Sequence, residues 1–588
     1  MAHKTNSFER FWKELKRRKV VNVITIYASA SFGIIEIVNN LITPLNLPAS
    51  VSTIVIIVLA VGFPFAIILS WIYDLAGGTF VRTKPIGYKE AEKKVKVPNA
   101  WKIATYVSFV IIIGLVVLNI VRRGDIIKPG MIQSLVILPF DNETGDEKLE
   151  YFVSGMHSSL IGDIGKIASL RVISKTSSDV YKDVHKPLPQ IASELDVDAV
   201  VEAQVMCIGD TVCLQVRVVE ADRKEKQLWV GNYREDRRKI LGLYNQITKQ
   251  IADEVKVKLS PEEVRSLSGS MVVNREAYDA VLKGNYYSAK VTKNDLDTAL
   301  KYYELAKDLD PEFALAYVGI SFLWITRQQL GMSSTAEART KIIKASMKAV
   351  ELDKTSAEVR SNLGSMYFFA KWDWGKSEEE YKKAIKLNPN DAGSRMWYAN
   401  LLNCLGRNEE ALNQSRIALN LDPQNVGIHY FYGIELTFAH KYDDAIRAFQ
   451  DALKIDPANP PALGDLGITL ALSGRKKEAV EQFKLCAGDD TELVNAYQTG
   501  YIEGGFRGAI LAYNKVIELR FKNSFWSPIE FALNYAMIGE IDKTFYWLEE
   551  AYKVSDPRLP YLLHPVYDIL HTDPRFKDLC RKMNLPYK

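Results

Sequence analysis

From about Ala357 to Asp490 the pattern of apolar and polar positions repeats every 34 residues. Gly433 and Gly467 are in phase, as are Ala445 and Ala479, Phe449 and Phe483, and the prolines Pro389, Pro423 and Pro457. The stretch YDDAIRAFQDALKIDP (Tyr442 to Pro457) predicts one amphipathic helix. Ala445, Phe449 and Ala452 fall at helical spacing on one face, and charged residues take the other. Proline ends the run because it cannot continue a helix. RNEEALNQSRIALNLDP (Arg407 to Pro423) repeats the pattern with Ser415 in the place of the aromatic.

This is the tetratricopeptide (TPR) period. A first helix packs antiparallel on a second, small residues let the backbones approach, and an aromatic fills the gap to the next pair. Weaker copies extend the phase. Gly284, Ala299, Tyr303, Ala306 and Pro311 mark a first repeat; Gly319 and Ala349 a second, with a long loop from Thr326 to Ala336; Gly364, Tyr381, Ala384 and Pro389 a third. Gly500, Ala509 and Tyr513 predict a shortened repeat, and Phe531 to Lys553 a last one. The expectation is about eight helix pairs over residues 274–588, stabilised by stacking and ending in atypical units.

The N-terminal part has a different pattern. Residues 1–19 are basic, with Lys4, Arg10, Lys13, Lys16, Arg17, Arg18 and Lys19. Three long apolar runs follow, Val20 to Ile42, Val51 to Tyr73 and Ala104 to Val121, each long enough to be expected as a membrane span. The loop holding Arg82, Lys84, Lys89, Lys93, Lys94, Lys96 and Lys102 is basic like the N-terminus, whereas the Leu45 to Ser50 linker is uncharged. Lysine and arginine stay on the cytoplasmic side, so residues 20–121 predict a three-helix transmembrane region. The sequence-based expectation is a multi-pass protein of a bacterial inner membrane with its C-terminal domains outside the cytoplasm. Glu36, with Asn40 one turn away, is expected at an interface between spans or between protomers, since no second intramembrane charge could serve as a relay partner.

After a tether at residues 122–133, residues 134–260 read as a small α/β domain. SLVILPF (Ser134 to Phe140) and LRVISKTS (Leu170 to Ser177) predict strands, and Leu149 to Ile167 a helix. Ala199 to Cys207 and Thr211 to Glu220 predict a hairpin around the two-residue turn Gly209-Asp210. In that register Cys213 points away from Cys207 and a disulfide is disfavoured; a three-residue turn reverses the conclusion. Cys404, Cys486 and Cys580 show no metal-ligand spacing.

Several of these stretches carry a resemblance. FWKELKRRKV (Phe11 to Val20) and GFPFAIILSWIYDLAGG (Gly62 to Gly78) resemble the N-terminal region of a bacterial family of membrane-anchored TPR proteins. SLVILPFDNETGDEKLEYFVSGMHSSL, IASELDVDAVVEAQV and LWVGNYRED are similar to its TolB N-terminal-like (FlgO-like) domain, and His564 to Pro586 to its tail. Members often carry an adenylate cyclase or a CadC-like winged-helix output domain, which the 19 residues before the first apolar run are too few to form. The fold class expected is therefore multidomain: N-terminal transmembrane helices, a small α/β domain and a C-terminal all-α TPR solenoid.

The formal net charge of +4 over 588 residues does not suggest a nucleic-acid binder. Nucleotide-binding, zinc-protease and serine-hydrolase motifs are missing, and the seven histidines are scattered. His157 is expected to be a partly exposed helix residue, and Asp373, Glu378, Glu379 and Glu380 a solvated helix face. No catalytic residue, cofactor or metal site is expected. What remains is binding. The repeat phase aims Ser361, Ser365, Phe368, Met396, Asn400, Asn403, Tyr430, Ile434, Thr437, Ile468 and Ala471 from the first helices onto the concave surface. With aromatic, aliphatic and amide groups and no lysine, this surface suits a peptide held by apolar anchors and backbone hydrogen bonds. The expected function is a non-enzymatic scaffold or sensor module for protein or peptide partners, drawn from envelope proteins, with the bilayer contacted through three spans. The alternative is a receptor acting on a separate cytoplasmic effector; a cyclase or transcription-regulator role would be a name inherited from relatives.

Overall fold

A computed structural model describes residues 20–42, 55–56, 59, 62–63, 73–76, 79–82, 132–221, 225–267, 273–521 and 527–586. The chain divides into two units, Met1–Pro129 and Gly130–Lys588. In the first, helix α1 (Val20–Ile42) carries Tyr27, whose hydroxyl donates to the Leu59 carbonyl at 2.9 Å, and strands β1 (Tyr73–Ala76) and β2 (Thr79–Arg82) pair antiparallel.

The expectation of N-terminal transmembrane helices, and with it the multi-pass inner-membrane placement, is corrected. Among the described residues no helix is long and apolar enough to cross a membrane. Helix α1 coincides with the first expected span, but Asn22, Thr25, Ser29, Ser31 and the exposed Glu36 interrupt its apolar run. Most of the second expected span and all of the third lie outside the described residues. The fold is mostly helical, with a small sheet followed by helical repeats.

The second unit begins with a sheet ordered β5-β3-β6-β7-β8, with β4 also paired to β6. Strands β3 (Ser134–Ile137), β4 (Asp141–Asn142) and β5 (Arg171–Val172) precede the long hairpin of β6 (Ala199–Ile208) and β7 (Thr211–Glu220); β8 (Gln227–Asp236) forms the far edge. β3 runs parallel to both β5 and β6, and the last three strands are antiparallel. Helix α2 (Glu150–Ile164) lies between β4 and β5. Short helices α3 (Lys175–Asp179) and α4 (Leu188–Leu195) come before β6, and α5 (Ile240–Glu254) and α6 (Pro261–Ser266) after β8. Alternation splits the strand side chains. Leu135, Ile137, Val201, Val205, Leu214 and Val216 join α2 and α5 in the main core, while Val136 and Val200 pack with Ile191 and Leu195 of α4 on the other face.

The cysteine reading is corrected as well. Cys207 and Cys213 form a disulfide. Ile208 pairs with Val212, so the turn holds three residues, and an irregularity between Val205 and Cys207 restores the register deeper in the hairpin. The extra residue moves Cys213 directly opposite Cys207.

The repeats run as antiparallel pairs: α7 (Arg275–Ser288) with α8 (Lys293–Leu309), α9 (Ala314–Gln329) with α10 (Thr335–Leu352), α11 (Ala357–Met366) with α12 (Trp374–Leu387), α13 (Ala392–Cys404) with α14 (Asn408–Leu421), α15 (Val426–Phe438) with α16 (Tyr442–Ile455), and α17 (Pro460–Leu472) with α18 (Lys476–Ala487). In α19 (Thr491–Phe521) the chain reverses at Gly504 and Gly505, the latter at φ +60°, so one continuous segment makes both helices of a pair. α20 (Pro528–Met537) and α21 (Ile541–Lys553) make the last pair. Asn425 and Asn459 cap α15 and α17 by accepting from Ile428 and Ala462 N–H, while their own amides donate to Asp422 and Asp456. This explains why Asp-Pro-x-Asn recurs between repeats. A Cβ on Gly433 would sit 2.7 Å from the Phe449 ring, so the missing side chain makes room for the aromatic.

Candidate functional site

The surface predicted for a partner is built by the first helices α11, α13, α15 and α17 and by the π turn Tyr367–Lys371 that follows α11, and none of its eleven residues is exposed. Ser365, Phe368, Asn400, Asn403, Ile434, Thr437 and Ile468 are buried; Ser361, Met396, Tyr430 and Ala471 are half-buried. Some of this follows from stacking between repeats. Ser361 Oγ accepts from Ser394 and the Thr437 and Thr469 hydroxyls meet at 2.9 Å across neighbouring repeats, while within one pair Ser365 Oγ lies 2.9 Å from the Tyr381 hydroxyl. Met396 packs with Ala392, Ala418, Leu421 and Ile428.

The rest follows from the C-terminal segment, which turns back onto the array after α21. Two short 3-10 turns, Leu559–Tyr561 and Pro565–Leu570, lead into α22 (Pro574–Lys582). Leu559, Leu562 and Leu570 are fully buried. Phe438, at the end of α15, has Tyr561 at 6.4 Å and His564 at 5.0 Å, ring to ring and edge-on. The Pro565–Leu570 turn lies against α17 and α20. Further along, Trp374 Nε1 donates to the Met583 carbonyl at 2.9 Å, and Phe368 stacks edge-on against Trp374. The C-terminal segment thus packs on Phe438 of α15, on α17 and α20, and on Trp374 of α12.

Buried polar groups of the first helices are unusual. The Asn403 amide is fully buried with neither its oxygen nor its nitrogen paired. Asn400 lies beside the Tyr561 hydroxyl, whose pKa burial drives well above the ordinary range. Glu435 is fully buried, and desolvation likewise raises its carboxyl strongly, with Ser415 the opposing influence. Deeper in the concave side, Tyr430 donates to Asp465 at 2.7 Å and Arg558 to Glu530 at 3.2 Å.

The α/β domain is fixed to the other edge of the array, where second helices hand over to first helices. The Asn390 side chain accepts from Val172 N–H at 3.0 Å and donates to the carbonyls of Gly165, Ile167 and Leu170. One repeat later, Asp422 Oδ1 accepts from the N–H and hydroxyl of Ser177 at 3.0 and 2.6 Å. Near the first repeat, Asp279 of α7 accepts from Tyr151 at 2.8 Å and pairs with Arg237, whose guanidinium lies 4.1 Å over the Phe152 ring.

His157 is buried rather than partly exposed. It sits between Ser178, 3.3 Å from Nε2, and Asp179, 3.5 Å from Nδ1. That trio has the composition of a nucleophile–base–acid set, but Nε2 also lies 2.9 Å from the Ile137 carbonyl, which can only accept. Its proton is therefore committed there, and Nε2 is not free to take one from Ser178. Burial would raise the Asp179 carboxyl, but His157 and Lys175 together hold it below the ordinary range. In the acidic cluster, Glu378 accepts from Arg407 at 2.8 Å, Glu380 pairs with Arg360 at 2.9 Å and Asp373 caps α12. Among the described residues no group of His, Cys, Asp and Glu side chains could hold a metal ion.

Comparison with known proteins agrees with the repeat geometry. The tetratricopeptide repeat family matches residues 380–413 and 439–492. A Rhizobium meliloti (strain 1021) protein named "Putative adenylate cyclase 3" is 26% identical over 193 residues, which is 33% of each chain, so the match spans only a third of that relative. Among solved structures, YrrB, described as a TPR protein with an unusual peptide-binding site, is 23% identical over 32% of this chain and 90% of its own, with a TM-score of 0.22. An IFIT1 mutant bound to a capped RNA is 15% identical over 55% and 76%, with a TM-score of 0.37. The two matched stretches are tetratricopeptide repeats.

Proposed function

We propose that this chain is a non-enzymatic interaction scaffold whose concave side, formed by α11, α13, α15 and α17, holds an extended protein segment. The observation that carries the reading is the Asn403 amide, fully buried at the face with both polar atoms unpaired. An unpaired buried amide costs about 1–3 kcal/mol, and the backbone of an extended partner offers the donors and acceptors that would satisfy it. Apolar anchoring is supplied by Phe368, Ile434 and Ile468, and the reading is supported by the chain's own C-terminal segment, an irregular stretch that packs near Asn400 and Phe438. The α/β domain, held by Asn390 and Asp422, stiffens the opposite edge.

The test is selection of peptides from a displayed library on the purified full chain, followed by titration of the selected peptides against Asn403→Leu and Asn400→Ala. Affinity is expected to drop at least tenfold in both. Peptides that bind these variants as tightly as wild type would place the binding surface elsewhere. A nucleotide-turnover assay on the same preparation is expected to give no product.

A further inference from the structure

The segment occupying the concave side also indicates what kind of partner belongs there. Arg558 enters between two carboxylates, Glu530 of α20 and Asp465 of α17. It donates to Glu530, while Asp465 accepts from Tyr430. Tyrosine rings surround the pair: Tyr497 and Tyr513 stack at 4.7 Å, and the Tyr513 hydroxyl lies 3.5 Å from Glu530 Oε1. Tyr567, only 3% exposed, has an unpaired hydroxyl, and the charges of Arg558, Asp556 and Glu530 all act on it. Glu530 thus holds the Arg558 guanidinium, whose side chain is 41% exposed, with the Asp465 charge acting alongside and tyrosine rings nearby. Two carboxylates facing one guanidinium leave the site net anionic with Arg558 seated.

Such a site suits a cation. A guanidinium forms charge-assisted hydrogen bonds to carboxylates, and tyrosine faces attract positive charge. The residues after Arg558, Leu-Pro-Tyr-Leu, then follow the apolar path past Phe438 and Asn400. We infer that the partner is a segment with a basic residue followed by an apolar, proline-containing aromatic stretch, chemically like Arg558 to Leu562, and that it enters by displacing that stretch. This rests on the concave side being a peptide groove. Because the internal segment is tethered, it competes at an effective concentration on the order of millimolar, so the intact chain presents its groove mostly closed.

The test is fluorescence anisotropy with a labelled peptide of residues 556–568 against the full-length chain, wild type and Arg558→Ala. Tyr561→Ala is the second route if circular dichroism shows that Arg558→Ala has lost its helical melting transition. The weakened chain is expected to bind at least tenfold more tightly than wild type. Replacing the peptide's arginine by glutamine should reduce binding at least tenfold, and adding Glu530→Gln to the weakened chain should remove that discrimination. Equal binding by wild-type and weakened chains would overturn displacement. Binding indifferent to the peptide arginine and to Glu530 would overturn the basic partner while leaving the groove intact. No binding by a folded, weakened chain would overturn both this inference and the peptide-groove reading.

Discussion

At the scale of single residues, His564 ties the C-terminal segment to pH. Its ring is buried against Phe438, and Nδ1 accepts the Val566 N–H at 3.2 Å, a bond available only to the neutral imidazole. Burial, with His440 as a lesser influence, pushes its pKa down to about 3. The unfolded chain, titrating near 6.5, therefore binds more protons between about pH 3 and pH 6.5. Stability from the neutral ring is complete above that window and is lost as pH falls through it, by about 1.4 kcal/mol per pH unit. Asp465 works in the opposite sense: burial raises it to about 6 against the pull of Tyr430 and Arg558, so its contribution falls as pH rises from about 3.8 to 6. The two are separated by comparing wild type with His564→Asn in urea titrations at several pH values. The difference between the chains is expected to be flat above pH 7 and to shift in favour of the variant on acidification. A difference independent of pH would rule out the buried neutral ring. Gly467 gives a second residue-scale prediction. A Cβ there would lie 2.4 Å from the Phe483 ring, so Gly467→Ala is expected to lower stability by about 1–3 kcal/mol in the same titrations.

At the scale of elements, the contact between the α/β domain and the array depends on Asn390. Asn390→Ala removes one acceptor and three donated bonds, leaving Val172 N–H and three carbonyls without it. The expected cost is about 1–3 kcal/mol, and amide hydrogen exchange should speed up first at Arg171 to Ser174, where β5 leads into α3. Exchange that stays slow there would show that the apolar contacts alone hold the domain. Asn390 also shows what could be read in advance. Its Asn-Pro-Asn-Asp loop was visible as a repeat boundary because proline and the helix cap are local signals, whereas the target of its amide lies over 200 positions away. The helix pairs were legible for the same reason, since Gly433, Phe449 and their copies recur in phase. The hairpin was legible in outline, but the pairing of Cys207 with Cys213 depended on one extra turn residue that alternation cannot count. The apolar run of Val20 to Ile42 predicted a helix, and a helix it is; its interior polar positions separate that from a membrane span.

At the scale of the whole second unit, the array is closed on itself. No periodic signal announces that Leu559 to Leu585 returns onto the array, because that segment folds as 3-10 turns around Pro560 and Pro565 rather than as another pair. Partner binding is therefore an exchange between an internal occupant and an external one. It is tested most directly by hydrogen exchange and mass spectrometry on the full-length chain, with and without excess peptide of residues 556–568. The peptide is expected to speed exchange within Leu559 to Leu570 of the chain while α13 and α15 stay protected. If those C-terminal amides keep their protection at saturating peptide, the segment is a permanent part of the core and the groove is not a site of exchange.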